Sequence, residues 1–416
     1  MSTTQSALRA LTPDGRILFA TRAVRLFAYG FLSVVLALYL AQVGLSEAQI
    51  GLLFTATLIG DAVVSLGIAN VADRGGRRRM LLVGAGLMIF AGLMFGLTGD
   101  PILLTIAAIL GVISPSGNEV GPFLSIEQAS LPQTVPDQHR TQIFAWYSLI
   151  ASFATALGAL SGGVSAQALQ KAGASPLASY RAVVFVYALL GVLLVLLISR
   201  LSPAIEIVSR VTRPSVTFGL HRSRGVVMGL AGLFALDAFG GGLVVQSLIA
   251  YWFHVRFGAE PAALGGIFFG ANLFAGVSAL AAARMANRFG LINTMVWTHI
   301  PSNVLLMLVP LMPNLPLAIA LLLARFSISQ MDVPTRQSYT MAVVDPDERS
   351  AAAGVTSIAR TVGAAASPAI TGALLGASLL AWPFLLAGGL KIVYDLALYF
   401  SFRSLKPAEE RAKVNC

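Results

Sequence analysis

The nine residues ADRGGRRRM, at positions 72–80, carry one aspartate and four arginines between two apolar runs. The runs cover residues 48–72 and 80–98, and each is close to the length of about 20 residues that a helix needs to cross a bilayer. Two adjacent glycines, Gly75 and Gly76, permit a tight turn between helices. The stretch therefore predicts a helical hairpin in a membrane, closed by a short and strongly basic loop.

The whole chain has the composition of an integral membrane protein. Of its 416 residues, 56% are hydrophobic and only 11% are charged, whereas soluble domains are about 25% charged. The single cysteine, Cys416, excludes an intrachain disulfide and a cysteine metal site. Because the sequence has no nucleotide-binding loop, metal-spaced cluster or convincing nucleophile triad, we expect neither an enzyme nor a cofactor or metal site.

Apolar segments long enough to span a bilayer recur along the chain. We predict twelve transmembrane helices near residues 17–43, 48–72, 80–98, 102–127, 142–168, 180–200, 226–253, 262–284, 291–310, 316–336, 351–378 and 382–402. The longest polar connection follows the sixth segment. The prediction is thus an all-α membrane protein with an N-terminal six-helix bundle at 1–200, a cytoplasmic linker at 201–224 and a C-terminal six-helix bundle at 225–416.

Basic residues are distributed asymmetrically over the predicted loops. If the N-terminus is cytoplasmic, most of the 28 lysines and arginines lie on the cytoplasmic side, and the opposite side holds Lys171, Arg181 and Arg256. The positive-inside rule favours this orientation, so we expect both termini in the cytoplasm and the protein in the cytoplasmic (inner) membrane. The net charge of +10 then reflects membrane topology, and we expect no nucleic-acid partner.

The two predicted halves repeat each other. An offset of 209 residues places Gln128 on Gln337 and Arg140 on Arg349, and an offset of 212 places Gly30 on Gly242. Two six-helix halves related by an axis along the membrane normal are an architecture of transporters, with the substrate site at the repeat interface.

The basic loop resembles the signature of the major facilitator superfamily, G-x-x-x-D-R-x-G-R-[RK]. It matches at Asp73, Arg74, Gly76, Arg77 and Arg78, whereas Ala69 replaces the first glycine. The second half carries a weakened copy, ANRFG, at 286–290. The resemblance covers the whole chain and implies a secondary transporter, of a bacterial branch whose substrate is unknown, that works by alternating access. It also implies that the loop is a latch of the outward-open state; the alternative is that its arginines anchor it at anionic headgroups.

Two runs of small residues resemble the antiporter signature of the superfamily. ATALGALSGG (154–163) is a degraded form, and GAAASPAITG (363–372) keeps the proline. Both are typical of close helix packing and favour efflux. We therefore predict a monomer in the lipid bilayer that carries out proton-coupled efflux of a small amphipathic organic compound. The alternative is uptake or exchange of an organic anion or metabolite.

Ionisable residues inside the predicted spans are candidates for function. The candidates for transport and coupling are Arg25, Asp61, Glu119, Asp237, Arg325 and Asp332. Arg25 and Glu119 each lie about 27 Å from the outer end of their segment at 1.5 Å per residue, so we expect them to pair. Asp237 occupies the repeat position of Arg25, and we expect it to pair with Arg325 or Arg336. Asp61 has no arginine at its level and is either a proton carrier or a hydrogen-bonded structural acid.

The candidates for a cytoplasmic gate are Asp73, Arg74, Gly76, Arg77, Glu127 and Arg336. Glu127 and Arg336 share a repeat position with opposite charge, so we expect a gate pair at the cytoplasmic mouth; the alternative is that each meets water. Lys391 and Asp395 stand four residues apart and are expected to neutralise each other. Prolines and glycines at 115–122 predict a break in the fourth helix beside the transport path.

Overall fold

A computed structural model describes residues 11–134, 140–206, 220–345 and 347–405. The regular elements of these residues are helices. The α-helices are α1 (Pro13–Ser33), α2 (Leu36–Val43), α3 (Glu47–Gly75), α4 (Arg77–Leu97), α5 (Pro101–Leu110), α6 (Phe123–Ser130), α7 (Arg140–Lys171), α8 (Pro176–Ile198), α9 (Arg224–Gly242), α10 (Gln246–Phe257), α11 (Pro261–Phe289), α12 (Leu291–Leu308), α13 (Leu315–Phe326), α14 (Asp332–Val343), α15 (Arg349–Gly376) and α16 (Trp382–Phe402). Short 3₁₀ helices cover Leu131–Thr134, Pro203–Ile205 and Val309–Leu311.

The helices are compatible with the twelve predicted spans. Within the described residues, nine are long and apolar enough to cross a membrane, or ten if α1 and α2, which are bent by 46°, form one span. Two shorter apolar helices, α5 and α13, each resume after a break as α6 and α14. The chain is therefore a multi-pass membrane protein.

The predicted break in the fourth span is present. It covers residues 111–122 between α5 and α6, and Gly117 and Gly121 adopt φ values of 70° and 81°, which favour glycine. Side chains satisfy part of the freed backbone: Tyr29 donates its hydroxyl to the carbonyl of Val120 at 3.0 Å, and Ser114 donates to that of Asn118 at 2.7 Å. Irregular backbone is tolerated at membrane depth when the protein supplies such partners.

Close helix packing explains the two runs of small residues. On α7, a Cβ atom at Gly158 would collide with the carbonyl oxygen of Phe27 in α1. On α15, a Cβ atom at Gly363 would collide with the carbonyl oxygen of Ala235 in α9. Only glycine lets these backbones approach so closely, and the prediction that both runs are packing faces is confirmed.

The chain divides into two compact units. The first comprises residues 1–211 and 246–269, and the second comprises residues 212–245 and 270–416. The first unit contains the contacts of α1 with α6 and α7, and the second contains those of α9 with α14, α15 and α16. Each unit holds its own cluster of buried charged side chains.

Candidate functional site

Arg25 of α1 is the centre of the ion cluster in the first unit. Its side chain is 0% exposed, and its three guanidinium nitrogens all donate to carboxylates. Nη1 and Nη2 bind Oε1 and Oε2 of Glu127 in α6 at 2.8 and 2.7 Å, and Nε binds Oε1 of Glu119 in the break at 2.7 Å. The contact between Arg25 and Glu119 predicted from the sequence is therefore present.

Glu127 is the most enclosed acid of this cluster. Besides Arg25, it accepts hydrogen bonds from the hydroxyl of Thr21 at 3.1 Å and from the hydroxyl of Tyr147 in α7. Its side chain is 1% exposed. The alternative that Glu127 meets water is not supported, because its carboxylate is fully engaged inside the unit.

Glu119 is shared between two arginines. Its Oε1 accepts from Arg25, and its Oε2 lies 3.1 Å from Nη1 of Arg22, one turn before Arg25 on α1. The guanidinium of Arg22 also lies over the ring of Tyr147, 4.3 Å from its centroid. Two arginines and two glutamates thus form a cluster whose charges balance, as buried charges require.

Asp61 of α3 contacts the same helix break from another side. Its Oδ1 accepts the backbone N–H of Gly121 at 2.5 Å and the hydroxyl of Ser65 at 3.1 Å. In the part of the chain that the structure describes, the bonds found for Asp61 come from these neutral donors. Both expectations for Asp61, proton carrier and structural acid, are compatible with this arrangement.

Asp237 of α9 is the centre of the ion cluster in the second unit. Its Oδ2 binds Nη1 of Arg336 in α14 at 2.8 Å and Nη1 of Arg360 in α15 at 3.2 Å. Its Oδ1 binds Nζ of Lys391 in α16 at 2.5 Å. The expected pairing of Asp237 with one of two arginines is present, and the partner is Arg336.

Arg336 is buried and also bound by Asp332, whose Oδ2 lies 3.0 Å from Nη1. Glu127 and Arg336 are each bound by an opposite charge within their own unit, and the gate pair between them stays a prediction. Arg325 is buried as well, and its Nε has no hydrogen-bond partner among the described residues.

Lys391 and Asp395 do not neutralise each other as predicted. Lys391 extends to Asp237, whereas Asp395 binds Nδ1 of His299 at 2.9 Å and the amide nitrogen of Asn303 at 3.2 Å, both on α12. The long lysine side chain reaches a neighbouring helix, so the spacing of four residues does not determine its partner.

The basic loop is tied to its own unit by Glu206. Gly76 has a φ of 94°, and the carboxylate of Glu206 accepts the backbone N–H groups of Arg77 and Arg78 at 2.7 and 3.2 Å. An acid at this position caps the N-terminus of α4 and complements the helix dipole.

The guanidinium of Arg77 is buried and donates to the carbonyls of Ala129 and Ile205, each at 3.2 Å. The alternative that Arg77 anchors the loop at anionic headgroups is not supported, because these contacts hold its guanidinium inside the unit. The side chains of Asp73 and Arg74 lie outside the described residues, so their latch role stays a prediction.

The two clusters occupy equivalent repeat positions with reversed charge. The offset of 212 residues places Arg25 on Asp237, and the offset of 209 places Glu127 on Arg336. Each half therefore forms the same ion pair between helices. The cation lies on the first helix, α1, in the first unit, and on the helix after the break, α14, in the second.

Sequence reasoning missed several members of the clusters. Arg22 shares the face of Arg25 at a spacing of three residues, which is a usable signal. Tyr147 has no charge that would mark it within its span, and Glu206, which binds the basic loop, lies in a connection with no periodic pattern.

Sequence comparison places this architecture in a family. The model of the Major Facilitator Superfamily matches residues 18–368. The chain belongs to the Major Facilitator Superfamily. The fold supports secondary transport of a small molecule across a lipid bilayer, and it indicates a transporter rather than an enzyme.

Two curated proteins resemble the chain in sequence. An uncharacterized membrane protein of Saccharomyces cerevisiae is 31% identical over 420 residues, covering 94% of this chain and 94% of its own length. A Na⁺, Li⁺, K⁺/H⁺ antiporter of Planococcus maritimus is 28% identical over 129 residues, which cover 31% of this chain and 30% of the antiporter.

Solved transporters share the fold at low identity. The nucleoside transporter NupG is 14% identical with a TM-score of 0.73, covering 94% of this chain and 100% of NupG. A D-xylose–proton symporter is 15% identical with a TM-score of 0.66, covering 93% of this chain and 97% of the symporter. At these identities the likeness shows the fold alone.

Proposed function

We propose that the protein is a proton-coupled secondary active transporter that exports a small amphipathic organic compound by alternating access. The observation that carries proton coupling is the unequal sharing of Arg25 between two carboxylates. Glu127 binds both terminal nitrogens of Arg25, and Glu119 binds only Nε. Glu119 can therefore take up a proton while Arg25 keeps a neutralising partner.

Exposure supports the same assignment. The side chain of Glu119 is 14% exposed, whereas that of Glu127 is 1% exposed. Glu119 also lies in the break at 111–122, where the backbone is not part of a regular helix. Glu119 is thus the more exposed of the two carboxylates, and Arg25 keeps Glu127 as its partner when Glu119 is protonated. We therefore assign Glu119 as the coupling group.

Charge balance favours exchange as the transport mode. With Glu119 ionised, the cluster of two arginines and two glutamates is neutral; with Glu119 protonated, Arg22 loses its carboxylate and the cluster gains a positive charge. A proton and an amphipathic substrate with a basic group then compete for one carboxylate. Such competition gives antiport, because proton entry expels the substrate from the site.

Asp61 is the second candidate for the coupling group. It binds the backbone of Gly121, two residues from Glu119, through neutral hydrogen bonds. A carboxylate without an adjacent cation gains little electrostatic stabilisation of its charged form. Protonation of Asp61 would weaken its hold on the break.

The partial relative named as a cation–proton antiporter agrees with proton exchange.

We also propose the division at 201–224 between two six-helix bundles, a monomeric state, both termini in the cytoplasm and a location in the cytoplasmic membrane. The positive-inside asymmetry of the loops supports this orientation.

An organic anion is the second candidate substrate. The Nε atom of Arg325 has no hydrogen-bond partner in the described residues, and the side chain of Arg360 is 36% exposed although it binds Asp237. Arginine is suited to bind carboxylates and phosphates. An anion would complete the hydrogen bonding of these groups.

Transport by purified protein in proteoliposomes tests the proposal. A panel of amphipathic cations and organic anions is offered with an imposed pH gradient, in the wild type and in Glu119→Gln and Asp61→Asn. We expect gradient-driven movement of a cation in the wild type, and the loss of both this movement and substrate-for-substrate exchange in Glu119→Gln, because the substrate and the proton share that carboxylate.

Asp347→Asn is the matched control, since it removes an exposed acid outside both clusters. Accumulation of anions but not of cations would transfer the proposal to the second candidate. Full gradient-driven transport by both Glu119→Gln and Asp61→Asn would contradict proton coupling at these residues.

A further inference from the structure

The second ion cluster holds a histidine between two carboxylates, and the exchange scheme above does not use it. Nδ1 of His299 lies 2.9 Å from Oδ1 of Asp395, and Nε2 lies 3.9 Å from Oδ1 of Asp237. Asn303, one turn further along α12, donates to Oδ2 of Asp395. The side chain of His299 is 4% exposed and that of Asp395 is 1% exposed, so neither contact is a surface one.

His299 and Lys391 face the same oxygen of Asp237. Nζ of Lys391 binds Oδ1 at 2.5 Å, and Nε2 of His299 faces Oδ1 from α12. Both arginines use the other oxygen, Oδ2. A proton on Nε2 would therefore make His299 a competitor of Lys391 and of no other cation in the cluster.

The charges around His299 show why its protonation would loosen Lys391. With a neutral His299, the three carboxylates Asp237, Asp332 and Asp395 equal in number the three cations Arg336, Arg360 and Lys391. Asp237 and Asp332 contact these cations directly, whereas Asp395 contacts His299 and Asn303. The helices packed against α12 carry further titratable or charged groups: Tyr394 and Tyr399 of α16, Tyr339 of α14 and Arg325 of α13; the ring centroid of Tyr394 lies 6.1 Å from that of His299. An added proton gives the cluster an excess positive charge, which loosening of Lys391 relieves.

We propose that His299 is a second proton-binding site and that its protonation replaces Lys391 by His299 at Asp237. A proton from water adds to the lone pair of Nε2, while the N–H at Nδ1 stays donated to Asp395. The new N–H at Nε2 donates to Oδ1 of Asp237, and the ammonium group of Lys391 moves away. The contacts between α9 and α16 and between α9 and α12 thereby change with pH.

The role of this step in transport rests on the proposed proton coupling, but the protonation itself does not. The test therefore uses no substrate and no gradient. Nitrogen-15 histidine NMR of the full-length protein in nanodiscs follows the ring nitrogens of His299, and His299→Gln identifies its signals. The spectra cover about pH 5 to 8, the range in which histidine changes charge, and the inference requires a form with both ring nitrogens protonated.

Two variants separate a proton site from a packing contact. Lys391→Met should move the titration of His299 to higher pH, and Asp395→Asn should move it to lower pH, each by about one unit. Lys171→Met, which removes an exposed lysine, should leave it unchanged. A single neutral tautomer throughout this range, or a titration that ignores Lys391→Met, would overturn the inference whatever the outcome for Glu119.

Discussion

Arg25 and Glu127 form a bidentate ion pair in the first unit, and Asp237 and Arg336 form an ion pair of reversed sign at the equivalent positions of the second. The repeat thus preserves the pair but not its polarity. In both units the pair joins the first helix of the half to the helix that follows a break, which indicates that the geometry tolerates either charge arrangement.

The reversed polarity predicts that the first pair can be inverted. Arg25→Asp alone leaves two glutamates without their main cation, and we expect a loss of about 3–5 kcal/mol in the free energy of unfolding, as for other broken buried pairs. The double variant Arg25→Asp, Glu127→Arg reproduces the charges of Asp237 and Arg336 and should recover part of that loss. Thermal unfolding in detergent measures the difference.

A double-mutant cycle with Glu127→Arg alone supplies the control, because it reports the coupling between the two positions. Additive effects of the two substitutions on the free energy of unfolding would show that positions 25 and 127 are not coupled. The ion pair of the second unit would then not predict the behaviour of the inverted pair in the first.

Glu119 and Glu127 should differ in stability as well as in function. Glu119→Gln keeps Arg25 neutralised by Glu127 but leaves Arg22 without its carboxylate, so we expect a loss of about 2 kcal/mol, typical of a hydrogen bond to a charged group. Glu127→Gln removes the bidentate partner and leaves Tyr147 and Thr21 with a neutral acceptor, and we expect a loss of about 3 kcal/mol or more. Urea unfolding of both variants makes the comparison, and equal losses would contradict the unequal sharing of Arg25.

Residue spacing predicted the spans, the repeat and two of the ion contacts. Arg25 and Glu119 were placed at one level by counting 1.5 Å per residue along regular helices, and Asp237 followed from the offset between the halves. These inferences succeed because helix geometry and the repeat determine the level of a residue without any tertiary information.

The same counting fails beyond a break. Glu127 follows the irregular residues 111–122, and Arg336 follows the gap between α13 and α14. The depth of these two residues in the membrane therefore cannot be obtained by counting 1.5 Å per residue. Contact with water, the alternative for both residues, is not supported, because both side chains are buried. Long side chains add a second source of error, since Lys391 reaches Asp237 on another helix instead of Asp395 one turn away.

Helix α15 offers a matched pair of glycines for a packing test. A Cβ atom at Gly363 would collide with the backbone of α9, whereas a Cβ atom at Gly354 would meet no atom within 4 Å. We expect Gly363→Ala to lower the free energy of unfolding by about 1–3 kcal/mol, as overpacking does. Gly354→Ala should be neutral or stabilising, because alanine favours the helix. Thermal unfolding of the two variants decides, and a stable Gly363→Ala protein would contradict the close approach of α9 and α15.

Glu348 should make the stability of the second unit depend on acid pH. Its carboxylate accepts the backbone N–H groups of His221, Arg222 and Ser223, just before α9. Burial of the carboxyl opposes ionisation, but these hydrogen bonds outweigh it and lower the pKa of Glu348 from 4.5 to about 2. Because the pKa is lower in the folded state, the stabilisation is complete above pH 4.5 and is lost as the pH falls toward 2. The difference in unfolding temperature between the wild type and Glu348→Gln should therefore be constant near neutral pH and shrink in acid. The exposed neighbour variant Asp347→Asn should show no such trend, and a difference for Glu348→Gln that persists in acid would mean that ionisation of Glu348 does not stabilise the unit.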